Sequence, residues 1–314
     1  MAALLLELEP GDEVVLPSFS FPSTASAFAL RGATVVFVDI RSDTLNLDES
    51  LIEEAVTDRT RAIVPVHYAG VGCELDAVLE IAERHGIAVV EDAAQTLLAT
   101  YRGRPLGAIG DLGALSFHET KNVMCGEGGA LLLRDDRWAE NAEIVQEKGT
   151  NRRQFYRGQV DKYTWVQLGS SYAPSEINAA FLWAQLEQAD QITAERLRIW
   201  NGYHEAFAEL EERGDVRRPV VPAHCQHNGH LYYLLTPDAR QRDGLLEHLA
   251  RHGVNAVFHY VPLHESPAGS RYGRAAGPLS ITTDVSSRLV RLPLWVGMTD
   301  ETIERVVKAV YEGL

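Results

Sequence analysis

The chain is poor in cysteine, poor in basic residues and free of long apolar runs. Three cysteines, Cys73, Cys125 and Cys225, stand far apart, and no CxxC pair occurs. An odd, scattered set of thiols makes a reducing cytoplasm the expected setting. Lys and Arg number 29 against 44 Asp and Glu, a formal net charge of −15. So acidic a surface argues against non-specific binding to nucleic acid or to an anionic membrane face. It leaves room for an anionic small molecule, which needs only a local cluster of donors. No apolar run reaches membrane-spanning length, and no signal-peptide pattern is seen. What is there has the balance of a soluble globular protein: 46% hydrophobic and 23% charged residues in 314. That length fits a large domain with a smaller one, or a single large α/β unit.

The chain opens on a helical run, Met1–Glu9, with no capping residue before it, and Pro10-Gly11 stops the run. Two readings are open: a natural N-terminal helix, or a chain that begins part-way into an element. Apolar, β-branched runs follow at Asp12–Pro17, Thr34–Asp39, Arg61–Val66 and Ile87–Glu91, with helical patterns at Asp48–Val56 and Glu74–His85 between them. This alternation predicts βαβ units around a mostly parallel, buried sheet. Two more strands are expected near Gly113–Phe117 and Gly129–Arg134, with a glycine-rich segment between. Pro174–Leu210 reads as helical, and Ala179, Ala180, Leu182, Trp183 and Leu186 fit a packed face. Beyond it, strands are expected at Leu231–Leu235 and Ala256–Tyr260, and helices at Gly244–His252 and Glu301–Tyr311. The expected architecture is an α/β large domain, residues 1–190, and a small α+β domain, residues 191–314.

Glu91-Asp92-Ala93-Ala94-Gln95 begins where an apolar strand runs out. Ligands of open α/β sheets bind at the carboxyl ends of the strands. Asp92 is therefore a functional candidate, and a helix N-cap is the equal alternative. Ser116-Phe117-His118-Glu119-Thr120-Lys121-Asn122 is followed by Gly126-Glu127-Gly128-Gly129. A lysine between a strand and a glycine-rich turn sits on constrained backbone and suits Schiff-base chemistry. Alone it reads as a surface lysine; together with Asp92 it does not. A pyridoxal phosphate (PLP) site needs a lysine, an acid for the ring nitrogen, a flat side chain over the ring and phosphate donors. Phe21 in Pro17–Thr24 lies just past an earlier strand and is a candidate for stacking, with a core aromatic as its competitor. His224, Cys225, His227 and His230 have metal-like spacing, but a closed zinc site wants four ligands in a defined geometry. No metal is assigned.

The segments Pro17–Thr24, Glu91–Gln95 and Ser116–Gly129 resemble the DegT/DnrJ/EryC1/StrS sugar aminotransferases over essentially the whole chain. The resemblance implies a fold-type-I PLP enzyme working as a homodimer with shared active sites. It makes Lys121 the Schiff-base lysine and the acid/base that moves the proton. It places Asp92 at the pyridinium, Gln95 by the phenolic oxygen, Phe21 over the ring and Ser116 at the phosphate. Ser171, in Gly169-Ser170-Ser171, stands where the family usually has an asparagine that reaches the phosphate from the partner subunit. Phe117–Asn122, Glu147–Arg152, Arg157–Trp165 and His259–His264 resemble dTDP-4-amino-4,6-dideoxygalactose transaminases. Those enzymes move an amino group from glutamate to C4 of dTDP-4-keto-6-deoxyglucose, toward surface polysaccharides such as enterobacterial common antigen. On that likeness His118, Arg152, Tyr260 and His264 are candidate substrate contacts.

Related sugar dehydratases carry histidine at the lysine position, so Lys121 argues against that reading. The family's Gly/Ser-x-Thr-Ala phosphate turn precedes its first helix, and this chain begins just after that place. The expectation is an N-terminally short clone or misplaced start codon. Two lost hydrogen bonds to a charged group would weaken PLP binding by roughly 10²–10⁴. The alternative of a different class is a catalytically impaired, truncated paralogue acting as a structural or regulatory partner.

Overall fold

A computed structural model describes all 314 residues. Twelve strands occur in chain order: β1 Glu13–Pro17, β2 Thr34–Val38, β3 Thr60–Ile63, β4 Ala88–Asp92, β5 Thr100–Tyr101, β6 Arg104–Pro105, β7 Leu112–Ser116, β8 Gly129–Leu133, β9 Cys225–Gln226, β10 Tyr232–Leu235, β11 Gly273–Ala275 and β12 Leu289–Leu292. Seven of them form one sheet in the order β11-β2-β1-β3-β4-β7-β8. Every pair in it is parallel except β7 with β8. The fold is the expected α/β architecture, built on a mostly parallel sheet.

β1 and β2 are Val-rich because both of their faces are covered. Val14, Leu16, Val35 and Phe37 pack into one apolar cluster with Leu5, Phe28 and Val145. Their chain neighbours Val15, Val36 and Val38 point the other way, against Ile52, Val78, Ile81 and Val89. The period-2 alternation thus feeds two cores, one on each side of the sheet. Each fully buried Val or Leu contributes roughly 1.5–3 kcal/mol. Helix Leu75–His85 closes one of these layers and ends at Gly86, whose φ of 63° is left-handed. Glycine takes that conformation without a Cβ penalty.

The C-terminal part has its own core. Ile199, Tyr203, Phe207, Tyr232, Leu249, Val290, Val306 and Val310 are buried together around the antiparallel pair β10–β12. Helix Ala189–Ala206 runs through residue 190, and β11 returns to pair with β2 in the large sheet.

Several expected elements differ. The opening helical run shortens to Ala2–Leu5, and Glu7 already has a positive φ. The helix expected from Gly244 starts at Ala239, because Asp238 accepts a capping bond from Gln241 N at 2.8 Å. Ala256–Tyr260 is not a strand. Only Val257 bridges Arg291, and the following side chains are drawn toward the segments that leave the large sheet: His259 bonds the Tyr68 hydroxyl at 2.8 Å. Helix Glu176–Glu187 forms, but it has no buried residue. Ile177 is 82% exposed and Trp183 67%. Of the expected face, Leu182 packs half-buried against Phe117, Val123 and Cys125, while Trp183 and Leu186 stay exposed.

Candidate active site

Because β1, β3, β4 and β7 are parallel, their carboxyl ends fall on one edge of the sheet, where ligands of such sheets bind. The segments that leave them line a cavity of about 1030 Å³, with Phe21, Thr24, Asp92, Gln95, Ser116, His118, Lys121, Tyr260 and Arg291 in its wall. Residues more than 200 positions apart in sequence meet there.

Asp92 is the last residue of β4. Its Oδ2 accepts from Thr24 Oγ1 at 2.5 Å, and Thr24 in turn accepts from Ser20 Oγ at 2.9 Å. Its Oδ1 takes the Ala94 N–H at 3.2 Å. Both oxygens are thus held without any cation being consumed. The preceding Glu91 points the opposite way. It is fully buried and accepts from His67 and from the N–H groups of Gly107, Ile109 and Gly110. Burial would raise its pKa; these donors outweigh that and hold it below the usual carboxylate value. Of the acidic pair, one member ties down the loop that feeds β7 and the other faces the cavity.

Lys121 lies in the β7–β8 connection, with its backbone N–H bonded to His118 O at 2.9 Å. Its amine has no ion-pair or hydrogen-bond partner in the protein. Burial lowers its pKa; the charge of Asp92 opposes that and Arg291 reinforces it. A larger share of the amine is therefore neutral and nucleophilic. Ser116, at the end of β7, faces the same space.

Gln95 is oriented by its neighbours. Its Oε1 accepts from Ala69 N at 2.7 Å, which turns Nε2 toward Tyr260 OH, 3.4 Å away. The group it presents is a donor, as an anionic ring oxygen requires. Phe21 caps helix Pro22–Ala29 and is 61% exposed, with its ring 6.4 Å from that of Tyr260. It stands at the cavity rather than in the core.

The remaining candidates separate. Tyr260 and His118 line the cavity. Arg152 does not: its Nε bonds Tyr156 OH at 2.9 Å on the surface. His264 is tied to Ser18, Nδ1 to Oγ at 2.7 Å, outside the lining. Ser171 is exposed and outside it as well, though its neighbour Tyr172 is in the wall. The four residues with metal-like spacing disperse: His224 bonds Glu74, His227 packs on Trp200, His230 bonds Asn122 and Cys225 faces Gly72 O.

Residues with no part in this site assigned from the sequence complete the wall. Thr24 and Ser20 sit inside the quoted Pro17–Thr24 segment but carried no assigned role. Arg291, on β12, lines the cavity and its guanidinium has no protein partner. His230 also lines it; burial and then the charge of Lys121 lower its pKa and keep the ring neutral.

This set fits PLP. A free amine, a carboxylate held by hydroxyls, an amide donor, an aromatic face and a serine at a strand end are the complements of its aldehyde, ring nitrogen, phenolic oxygen, ring face and phosphate. The comparisons agree. The model of the DegT/DnrJ/EryC1/StrS aminotransferase family matches residues 1–311. The spore coat polysaccharide biosynthesis protein SpsC of Bacillus subtilis is 33% identical over 98% of this chain and 82% of its own. DesV of S. venezuelae, solved in complex with a ketimine intermediate, is 34% identical over 99% of this chain and 82% of its own, with a TM-score of 0.88. The aminotransferase TlmJ of Streptoalloteichus hindustanus is 32% identical over 99% of this chain and 81% of its own, with a TM-score of 0.89. The chain belongs to the DegT/DnrJ/EryC1/StrS aminotransferase family, whose cofactor is PLP.

Proposed function

We propose that the protein transfers an amino group from glutamate to C4 of a dTDP-4-keto-6-deoxyhexose in the assembly of a surface polysaccharide. The observation that carries the reading is the convergence of Lys121, Asp92, Gln95 and Ser116 on one cavity. When bound there, PLP supplies an electron sink for the donor's Cα. Lys121 Nζ holds the cofactor and carries the proton from that carbon. Asp92 keeps a negative charge at the ring nitrogen, Gln95 Nε2 donates to the phenolic oxygen and Ser116 Oγ to the phosphate. Arg291, without a protein partner, is placed to take a carboxylate of the donor. The polysaccharide assignment draws on the four long subfamily strings and on the name of SpsC.

The test is incubation with dTDP-4-keto-6-deoxyglucose and glutamate, followed by NMR of the product. An amine at C4 is expected. An amine at C3, or no reaction with any 4-keto sugar nucleotide, refutes the substrate. Arg291→Leu should raise KM for glutamate at least ~10-fold, from the loss of a hydrogen bond to a charged group. An unchanged KM would remove Arg291 from the donor site.

We infer further that two copies pair through the uncovered apolar surface. Ile177, Phe181, Trp183 and Leu186 are exposed on helix Glu176–Glu187, and Tyr163, Trp165, Leu168 and Tyr172 on the segment before it. So many large apolar side chains in one region mark an interface rather than a solvated face. Ser171 stands in the same region, where it would reach a partner's cavity. Ile177→Asp combined with Trp183→Glu should convert a dimer to monomer in light scattering. A wild-type chain already monomeric at micromolar concentration would defeat the pairing. All three cysteines are buried and free, in keeping with the cytoplasmic setting we assign.

A further inference from the structure

Outside the cavity wall, helix Ala239–Arg251 packs against the C-terminal helix Asp300–Gly313. His248 and His252 are four residues apart, so they share a face one helical turn apart. One ring nitrogen of each and a carboxylate oxygen of Glu312 lie within 4.8 Å of one another. We propose that these three side chains bind a divalent transition-metal ion, zinc by the chemistry of the donors, as a clip between the two helices.

Three independent details point the same way. His252 Nδ1 lies 2.9 Å from the backbone oxygen of His248. Donation to that carbonyl fixes the tautomer and leaves Nε2 as a bare lone pair, the usual state of a metal-ligating histidine. His248 Nε2 is shielded from solvent yet has no hydrogen-bond partner in the protein. Such a nitrogen calls for a water or an ion. Finally, the approach of the two helices depends on Gly313. A Cβ there would lie 3.0 Å from His248 Cδ2 and 2.8 Å from Leu245 Cδ1. The glycine lets the imidazole nest beside Glu312.

Two imidazoles and one carboxylate are a borderline-soft set that suits zinc and leaves a fourth position for water. Donors of a tetrahedral ion bound at ~2.0–2.1 Å stand roughly 3.3 Å apart. The rings now stack with centroids 4.1 Å apart, so binding requires His252 and Glu312, both exposed, to turn about their side-chain torsions until the lone pairs converge. The rival interaction of Glu312 is a surface pair with Lys308 at 3.8 Å, which contributes little. A ligand that binds only the folded state raises the melting temperature with its concentration.

The experiment uses untagged, metal-stripped holoenzyme titrated with Zn²⁺ by calorimetry, with melting curves alongside. One equivalent should bind, and Tm should rise with Zn²⁺. His252→Ala and Glu312→Gln should each weaken that binding at least ~10-fold, by comparison with the loss of even an outer partner of a metal site. Both should keep the wild-type circular dichroism and activity. Absence of stoichiometric binding overturns the proposal. So does equal affinity in either variant, which would place the ion elsewhere or reduce the clip to a histidine pair.

Discussion

Lys121→Ala should lower transamination at least ~10³-fold with the fold intact. The estimate follows from what the amine is asked to do. A positioned acid/base contributes ~10²–10⁴-fold, and the same nitrogen is the proposed point of cofactor attachment, so the loss lies in the upper part of that range. The structure gives no reason for the fold to suffer. Lys121 Nζ has no protein partner, and burial already disfavours its charged form. Borohydride reduction of the wild-type holoenzyme should leave a pyridoxyl label on the peptide containing Lys121, and none there in the variant. A label on another lysine, or turnover within ~10-fold of wild type, would sink the assignment. Melting curves separate a chemical loss from a folding one.

What the sequence made legible, and what it did not, follows from the range of the interactions involved. That Asp92, Ser116 and Lys121 share one cavity wall was legible because apolar strands announce their ends: Ala88–Val90 and Leu112–Leu115 run out at the sheet's carboxyl edge, and Lys121 follows in the connection after β7. The covered faces of β1 and β2 were equally plain, since period-2 burial on both sides leaves a run of Val with no polar partner. Local pattern failed where a distant group decides the conformation. Val257-Phe258-His259-Tyr260 has the look of a strand, but Tyr68 and Gln95, distant in sequence, hold its last two side chains, and only Val257 reaches β12.

Arg291 had no local signal at all. It sits in an ordinary antiparallel strand and reaches the cavity because β12 lies beside β10 at the junction of the two cores. Thr24 had a signal only in hindsight: in the first turn of helix Pro22–Ala29, four residues after Ser20, it joins Ser20 to Asp92. Helix Glu176–Glu187 is the converse case. Its composition reads as a packed face, and within one chain most of that face is exposed, with Leu182 half-buried. The pattern encodes burial against something, and a second copy is the partner we propose.

Asp92→Asn should reduce kcat by ~10²–10³-fold, the cost of removing one preorganised electrostatic partner from a site. The amide is nearly the same size as the carboxylate, so the cavity keeps its shape. Its oxygen could still accept from Thr24 Oγ1, now 2.5 Å from Asp92 Oδ2. In the proposed site, what would be lost is the negative charge beside the ring nitrogen, which would keep the ring protonated as an electron acceptor. Thr24→Val separates charge from hydrogen bonding. It leaves the carboxylate in place and deletes one bond to it, worth about 1.5–3 kcal/mol. That predicts a smaller fall, on the order of 10-fold if about half of it is felt in the transition state. Steady-state kcat for both variants, with absorbance of the bound cofactor as the check on occupancy, decides the matter. Equal losses would mean that Asp92 acts through the Thr24–Ser20 chain rather than through its charge. Near-normal turnover in Asp92→Asn at full occupancy would remove Asp92 from the ring nitrogen altogether.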